Sequence, residues 1–259
     1  MKKILFALIG IVVMTLTSCF PEPEHLLTQS FSRLVSIDTT NNYASFKADY
    51  TGEVFTKFSN ATYTEDLAAF GLEGAARAEV LIRHDVDASY KQTLTLLNAR
   101  KIDVLPITKQ ATTETQMPLL MFWGYPLTRF LRPTVWVSNG YLNMLPVVPS
   151  AKSAKYRLTP EKVISDSLYF RLTATYEEDS LKQLVEDIHC YDLRTLRDTS
   201  HADAELREKM EEVLTAMENL KKDSMRIFVT ADFIEYNYQG RKDTIRTFSH
   251  VTNYFKYDF

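Results

Sequence analysis

The 259-residue chain has only two cysteines, Cys19 and Cys190, and only seven glycines. So few cysteines exclude a disulfide-stapled scaffold, and a glycine content well below the roughly 7% average argues against glycine-rich phosphate cradles. Neither sign of charge dominates: 30 Lys and Arg stand against 33 Asp and Glu, a formal net of −3. No basic surface for nucleic acid is implied. A single apolar run, residues 4–16, is the only stretch to consider for lipid. It falls short of the roughly 20 residues a bilayer span needs, which excludes a multi-pass membrane protein. What is present is ordinary globular material, 45% hydrophobic, 24% charged and 12% aromatic. That is enough for one or two cores and too apolar for a disordered chain.

Lys2 and Lys3 precede the apolar run, and Leu16-Thr17-Ser18-Cys19 closes it. A basic start and a short apolar stretch form a secretory signal. The closing tetrapeptide resembles the bacterial lipobox, in which the cysteine thiol is acylated and becomes the mature first residue. Small residues before the thiol let the signal peptidase reach the bond. Residues 1–18 therefore read as a lipoprotein signal peptide, Cys19 as the lipidation site, and residues 19–25 as a tether held extended by Pro21 and Pro23. Cleavage leaves 259 − 18 = 241 residues, and loss of two lysines takes the net charge to 28 − 33 = −5. Several acyl chains hold a protein firmly to a membrane. The expected address is the cell envelope, at the outer membrane, on its periplasmic or surface face. Cys190 is then the sole internal thiol and is expected to be buried and inert.

Beyond the tether the dominant hydrophobic period is two. Phe46, Ala48 and Tyr50 alternate with polar neighbours, as do Ala78, Val80 and Ile82, then Leu168, Phe170 and Leu172, and finally Phe255, Tyr257 and Phe259. Alternation in stretches rich in β-branched and aromatic residues marks half-buried strands. Gln239-Gly240 reads as a hairpin turn. Two helices interrupt the strands. One covers residues 64–70 with Thr64 as cap and Gly71 as stop; the other covers about 204–222, with Leu206, Met210, Val213, Leu214, Met217 and Leu220 on a face that packs on a sheet. Pro118, Pro126 and Pro133 break the pattern between residues 113 and 133, which reads as an interdomain segment. The expected domains are residues 26–112 and 134–259.

Val135-Trp136-Val137-Ser138-Asn139-Gly140-Tyr141-Leu142-Asn143 carries a Trp-x-x-x-Gly-Tyr-Leu-Asn pattern. With Phe70-Gly71-Leu72 ahead of a strand, the run Leu105-Pro106-Ile107-Thr108-Lys109, and Leu168-Tyr169-Phe170-Arg171-Leu172, it resembles the NigD-like lipoproteins of Gram-negative anaerobes. The lipobox agrees with that resemblance. It implies a mainly β protein: a small OB-like barrel followed by an immunoglobulin-like β-sandwich with one inserted amphipathic helix. It implies no activity, and Thr173-Ala174 stand where relatives carry a His-Asn pair.

Candidate chemistry is sparse. His84-Asp85-Val86-Asp87-Ala88-Ser89 opens like a calcium loop, but the sixth and twelfth positions hold Tyr90 and Leu96 instead of glycine and glutamate. The run is more simply a turn whose carboxylates bond their own backbone. His201 and Glu205 lie four apart where a helix wants caps and acids. Glu177-Glu178-Asp179 reads as a solvated turn. No His-Glu-x-x-His, Gly-x-Ser-x-Gly or Walker-type loop occurs, so no catalytic residue, metal or cofactor is assigned. The densest aromatic patch contains Phe122, Trp123 and Tyr125, a partner-binding surface if exposed and a filling for the domain seam if not. Trp136 and Tyr141 are expected in the sandwich core. The functional reading is a non-catalytic envelope lipoprotein binding a protein or glycan partner. The alternatives are a protective factor against a bacteriocin-like peptide and a hydrolase with an unrecognised site.

Overall fold

The computed structural model describes residues 25–56, 58–107, 135–145, 147–149, 155–175, 184–186, 188–196, 204–221, 223–236 and 242–256. The chain is mainly β. It divides after Lys101 into two compact units, each with its own apolar core.

The first unit is one five-stranded sheet in the order β3-β2-β1-β4-β5. Its strands are β1 (His25–Asp38), β2 (Ser45–Ala48), β3 (Val54–Phe55), β4 (Arg77–Asp87) and β5 (Gln92–Lys101). All four pairings are antiparallel. The period of two does what it promises: Ala78, Val80 and Ile82 of β4 are fully buried, and Arg83 on the other face is exposed. They pack with Val35, Phe46, Phe55, Phe58, Leu67 and Leu72, and Phe46 meets Phe58 edge to face with centroids 5.0 Å apart.

Among the described residues no strand pair joins β3 to β5, so the expected small barrel is an open sheet and not a closed barrel. The segment after β3 is instead tied to β5 at isolated points. Phe58 forms a single parallel bridge with Leu94, and the Ser59 N–H donates to the Leu94 carbonyl at 2.8 Å. The Asn60 amide donates to the Leu96 carbonyl at 2.8 Å and accepts from its N–H at 3.0 Å. One side chain thus satisfies both backbone groups of a residue beside the β5 bulge.

A short 3-10 helix (Thr64–Phe70) lies between β3 and β4 and stops at Gly71, whose φ of 67° is the left-handed conformation glycine adopts without strain. Its entry is fixed differently from the expected Thr64 cap. The Asp66 carboxylate accepts the N–H groups of Thr62 at 2.9 Å and Tyr63 at 2.8 Å. The carboxylate reaches back from the first turn to both N–H groups, and its charge strengthens the two bonds. Beneath the sheet, Arg77 grips Asp49 through two bonds of 2.8 and 2.7 Å and Ser36 through a third of 2.7 Å. Both charged groups are buried, and such a pair holds its geometry because breaking it strands a charge away from water.

The second unit contains two four-stranded sheets and a two-stranded one. The first sheet runs β10-β11-β14-β15, from β10 (Lys155–Ile164), β11 (Ser167–Thr175), β14 (Arg226–Tyr236) and β15 (Lys242–Val251). The second runs β6-β13-β8-β7, from β6 (Val104–Leu105), β7 (Val135–Ser138), β8 (Tyr141–Met144) and β13 (His189–Asp192). Strands β9 (Val147–Pro149) and β12 (Leu184–Glu186) pair with each other. Leu158, Leu168, Phe170, Leu172, Ile227 and Val229 of the first sheet share one core with Val135, Val137, Leu142, Met144 and Tyr191 of the second, which is sandwich packing. Although β6 falls within the span read as the first domain, it pairs with β13 of the second unit.

Helix α1 (Ala204–Asn219) sets Leu214 against this core, as its apolar stripe implied, whereas Leu220, expected on the same face, lies past the helix end and is exposed. The side chains of Leu206, Met210, Val213 and Met217 lie outside the described residues. Strands β14 and β15 form the expected hairpin, although Gln239-Gly240 themselves lie outside. Among the described residues no helix is long and apolar enough to cross a membrane.

Trp136 and Tyr141 are both buried, yet neither joins the sandwich core. Trp136 pairs with Asn143 and Tyr141 with Ser138, whereas Val137 pairs with the core residue Leu142. Paired residues share a face and neighbours alternate, so Trp136 and Tyr141 turn to the far side of that sheet. The apolar character of Trp136 signalled burial correctly; the strand period decides on which side.

Candidate functional site

Cys19, Phe122, Trp123 and Tyr125 lie outside the described residues, as do Glu177, Glu178, Asp179 and His201. The structure places the remaining candidates plainly. His84 and Asp85 belong to β4, where the Asp85 carboxylate accepts from Thr28 Oγ1 at 2.9 Å and Arg83 Nε at 2.8 Å. Asp87 builds the turn after β4: its carboxylate accepts the N–H groups of Ser89 at 2.8 Å and Lys91 at 2.9 Å. The expectation of a turn holds only for the end of the run: residues 84–87 are strand, and the turn that follows is closed by the Asp87 carboxylate. Among the described residues no three His, Cys, Asp or Glu side chains gather as a metal-holding group. Cys190 is fully buried, with its thiol 2.9 Å from Asn143 Oδ1.

A concave feature of the described surface lies elsewhere, in the first unit. A groove of about 680 Å³ is lined by Asn42, Tyr43, Tyr63, Thr64, Glu65, Ala68 and Glu73, within the roughly 300–1,000 Å³ typical of ligand sites. Tyr43 and Tyr63 are 56% and 48% exposed, so both rings are open to solvent at the groove. Their centroids lie 5.4 Å apart with the planes at 34°.

Backbone geometry holds this pair on both sides. Tyr43 and Tyr63 face each other across an isolated antiparallel bridge, and the Ala44 N–H donates to the Thr62 carbonyl at 3.1 Å. Asp66 ties down the N–H groups of Thr62 and Tyr63, and Thr62 Oγ1 donates to the Phe58 carbonyl at 2.9 Å. On the other side, a 3-10 turn (Thr40–Asn42) delivers Tyr43. Asn42 sits at φ 64°, a left-handed conformation that asparagine tolerates better than most residues. The Asp38 carboxylate accepts both the N–H and the hydroxyl of Thr40. Those two bonds, the hydroxyl first, hold the Asp38 carboxyl below the usual range for an aspartate. The rings are thus presented by a fixed backbone while remaining open to solvent.

The electrostatics are one-sided. Glu65 and Glu73 are exposed on the groove, and no Lys, Arg or His lines it. Neither carboxylate has an ion-pair partner among the described residues. The arrangement offers aromatic faces, hydroxyls, an amide and negative charge, a set suited to binding. No nucleophile with an adjacent base is present there.

A second aromatic group contrasts with it. On the outer face of the β10-β11-β14-β15 sheet, Tyr169 stacks on Phe228 at 4.6 Å, Lys162 lies over Tyr169 at 5.0 Å, and Arg226 lies over Phe228 at 4.9 Å and over Tyr254 at 5.2 Å. Arg194 likewise covers the Tyr141 ring at 4.5 Å. Those rings already carry cations of their own chain. Among the described residues no cation lies over the tyrosines of the groove.

Sequence reasoning did not single out Tyr43 and Tyr63. A signal existed: each follows residues suited to tight turns or precedes a capping carboxylate, in Asn41-Asn42-Tyr43 and Tyr63-Thr64-Glu65-Asp66. Nothing local says that the two meet, because the bridge between them spans twenty positions.

No protein-family model matches the chain, and no curated protein matches it. Solved structures do. A candidate lipoprotein from Bacteroides fragilis superposes with a TM-score of 0.60 at 14% identity, covering 89% of this chain and 100% of its own. This chain shares its fold. A NigD-like immunity protein from Bacteroides caccae matches at a TM-score of 0.43 and 12% identity, over 90% and 99% of the two chains. An uncharacterized protein from Parabacteroides merdae matches at 0.46 and 11% identity, over 87% and 98%.

Proposed function

We propose that the protein is a non-catalytic lipoprotein of the cell envelope, anchored at the outer membrane through Cys19, that binds a protein or glycan partner. The observation that carries the binding half is the Tyr43–Tyr63 pair: two large rings held by fixed backbone at a groove and left half exposed. A fold gains stability by burying such rings, so exposing both on a rigid frame fits a recognition surface. Among the described residues no acid, base and nucleophile converge at the groove, which favours binding over turnover. The signal segment and lipobox support the address.

A thermal-shift screen of the detergent-solubilised protein against glycans and peptides tests the binding reading. Any ligand of the native state raises the melting temperature, by an amount corresponding to about 2.7 kcal/mol at a hundredfold excess over Kd. The expected result is a shift with one ligand class that disappears in both Tyr43→Ala and Tyr63→Ala. Shifts that persist in both variants would place the binding surface elsewhere on the molecule.

A further inference from the structure

Resting on that reading, we propose that the Tyr43–Tyr63 groove receives a basic side chain, lysine or arginine, from a peptide segment of a partner polypeptide. Three observations converge on a cation. Two aromatic faces stand at the groove with their negative quadrupoles open to solvent. Glu65 and Glu73 place two formal negative charges on the same lining, with no cation of the described chain beside them. Elsewhere among the described residues four exposed or half-exposed rings take a cation as neighbour: Phe31 under Arg33, Tyr169 under Lys162, and Phe228 and Tyr254 under Arg226. At the groove no described residue supplies that cation, and an incoming ammonium or guanidinium completes the arrangement.

The groove's size makes the occupant a segment. At about 680 Å³ it exceeds what one side chain fills, so neighbouring residues of the partner lie along it. The Asn42 amide and the Thr64 and tyrosine hydroxyls on the lining are suited to the backbone of such a segment. A neutral sugar would also stack on tyrosine, but it leaves both glutamates without a counter-charge. Charge complementarity therefore favours the basic peptide.

The test is calorimetric titration of the full chain in detergent with three probes: a lysine-rich hexapeptide, the same peptide with every lysine Nε acetylated, and a neutral hexasaccharide. The lysine peptide should bind, weaken as salt is raised from 20 to 200 mM, and lose at least about tenfold on acetylation, the combined loss expected from its ion pairs and cation–π contacts. The double variant Glu65→Gln/Glu73→Gln, which alters only exposed carboxylates, should weaken it about threefold or more. Tyr63→Ala should weaken it by a similar factor, with circular dichroism confirming that the fold survives. Equal binding of the acetylated peptide, no effect of the glutamine pair, or no binding of the lysine peptide would each overturn the inference. Binding of the hexasaccharide in its place, lost in Tyr63→Ala, would overturn the cation while leaving the partner-binding reading intact. Silence from all three probes, together with a thermal-shift ligand indifferent to both tyrosines, would remove the groove from the binding reading as well.

Discussion

At the scale of single residues the second unit contains a hydroxyl that its surroundings do not satisfy. Tyr191 is fully buried between the sheets, and its oxygen has no hydrogen-bond partner among the described residues. Burial, and then the nearby Tyr156, push its ionisation well above the ordinary value of a tyrosine. The sign for stability follows. The unfolded chain releases this proton near pH 10 and the folded chain does not. Folding is therefore unaffected below that value and is weakened as pH climbs above it. Tyr191→Phe removes the orphaned oxygen at nearly constant shape. It should be neutral or stabilising by up to about 1 kcal/mol at pH 7, and chemical denaturation at pH 10.5 should show a shallower alkaline loss than wild type. A destabilisation above about 2 kcal/mol at neutral pH would mean that the hydroxyl has a partner after all.

At the scale of elements, what could be read in the sequence was the period and what could not was the pairing. Alternation in residues 78–82 and 168–172 located β4 and β11 because a half-buried strand must repeat every two residues. Gly71 as a stop was legible because a left-handed residue is needed there. The same element starts at Thr64 as expected, but its cap position is Tyr63, one residue earlier, and the N–H groups there are held by the Asp66 carboxylate and not by the Thr64 hydroxyl. Asn139-Gly140, with φ of 52° and 82°, forms the two-residue turn between β7 and β8, a signal that lay unread inside the Trp-x-x-x-Gly-Tyr-Leu-Asn pattern. The groove was not legible, because its tyrosines meet only through a bridge between two loops. That dependence is open to measurement. Asp66→Ala deprives two backbone N–H groups of their acceptor and should cost about 1–2 kcal/mol in a denaturant melt. It should also loosen the Tyr63 backbone, so faster hydrogen exchange is expected at Thr62 and Tyr63 while the β4 core stays protected.

At the scale of the whole molecule, the fold and the address rest on different physics. The fold is carried by two apolar cores whose residues are dispersed over many strands, which is why a chain only 14% identical to the Bacteroides fragilis protein can share its architecture. On the proposed reading the address rests on one atom, the Cys19 sulfur. Cleavage after residue 18 would leave a net charge of −5, which gives the chain as a whole no pull toward an anionic membrane surface. On that reading lipid carries the attachment, and removing it should change location without changing structure. Cys19→Ser is expected to move the protein from the membrane fraction of a fractionated Gram-negative host to the soluble fraction or to leave it as an uncleaved precursor, with far-ultraviolet circular dichroism of the purified product unchanged. In the wild type, intact mass should show an acylated species beginning at residue 19. Retention of an unacylated Cys19→Ser chain, cleaved after residue 18, in the membrane fraction would transfer the attachment to the folded units, and with it the reason for exposing Tyr43 and Tyr63.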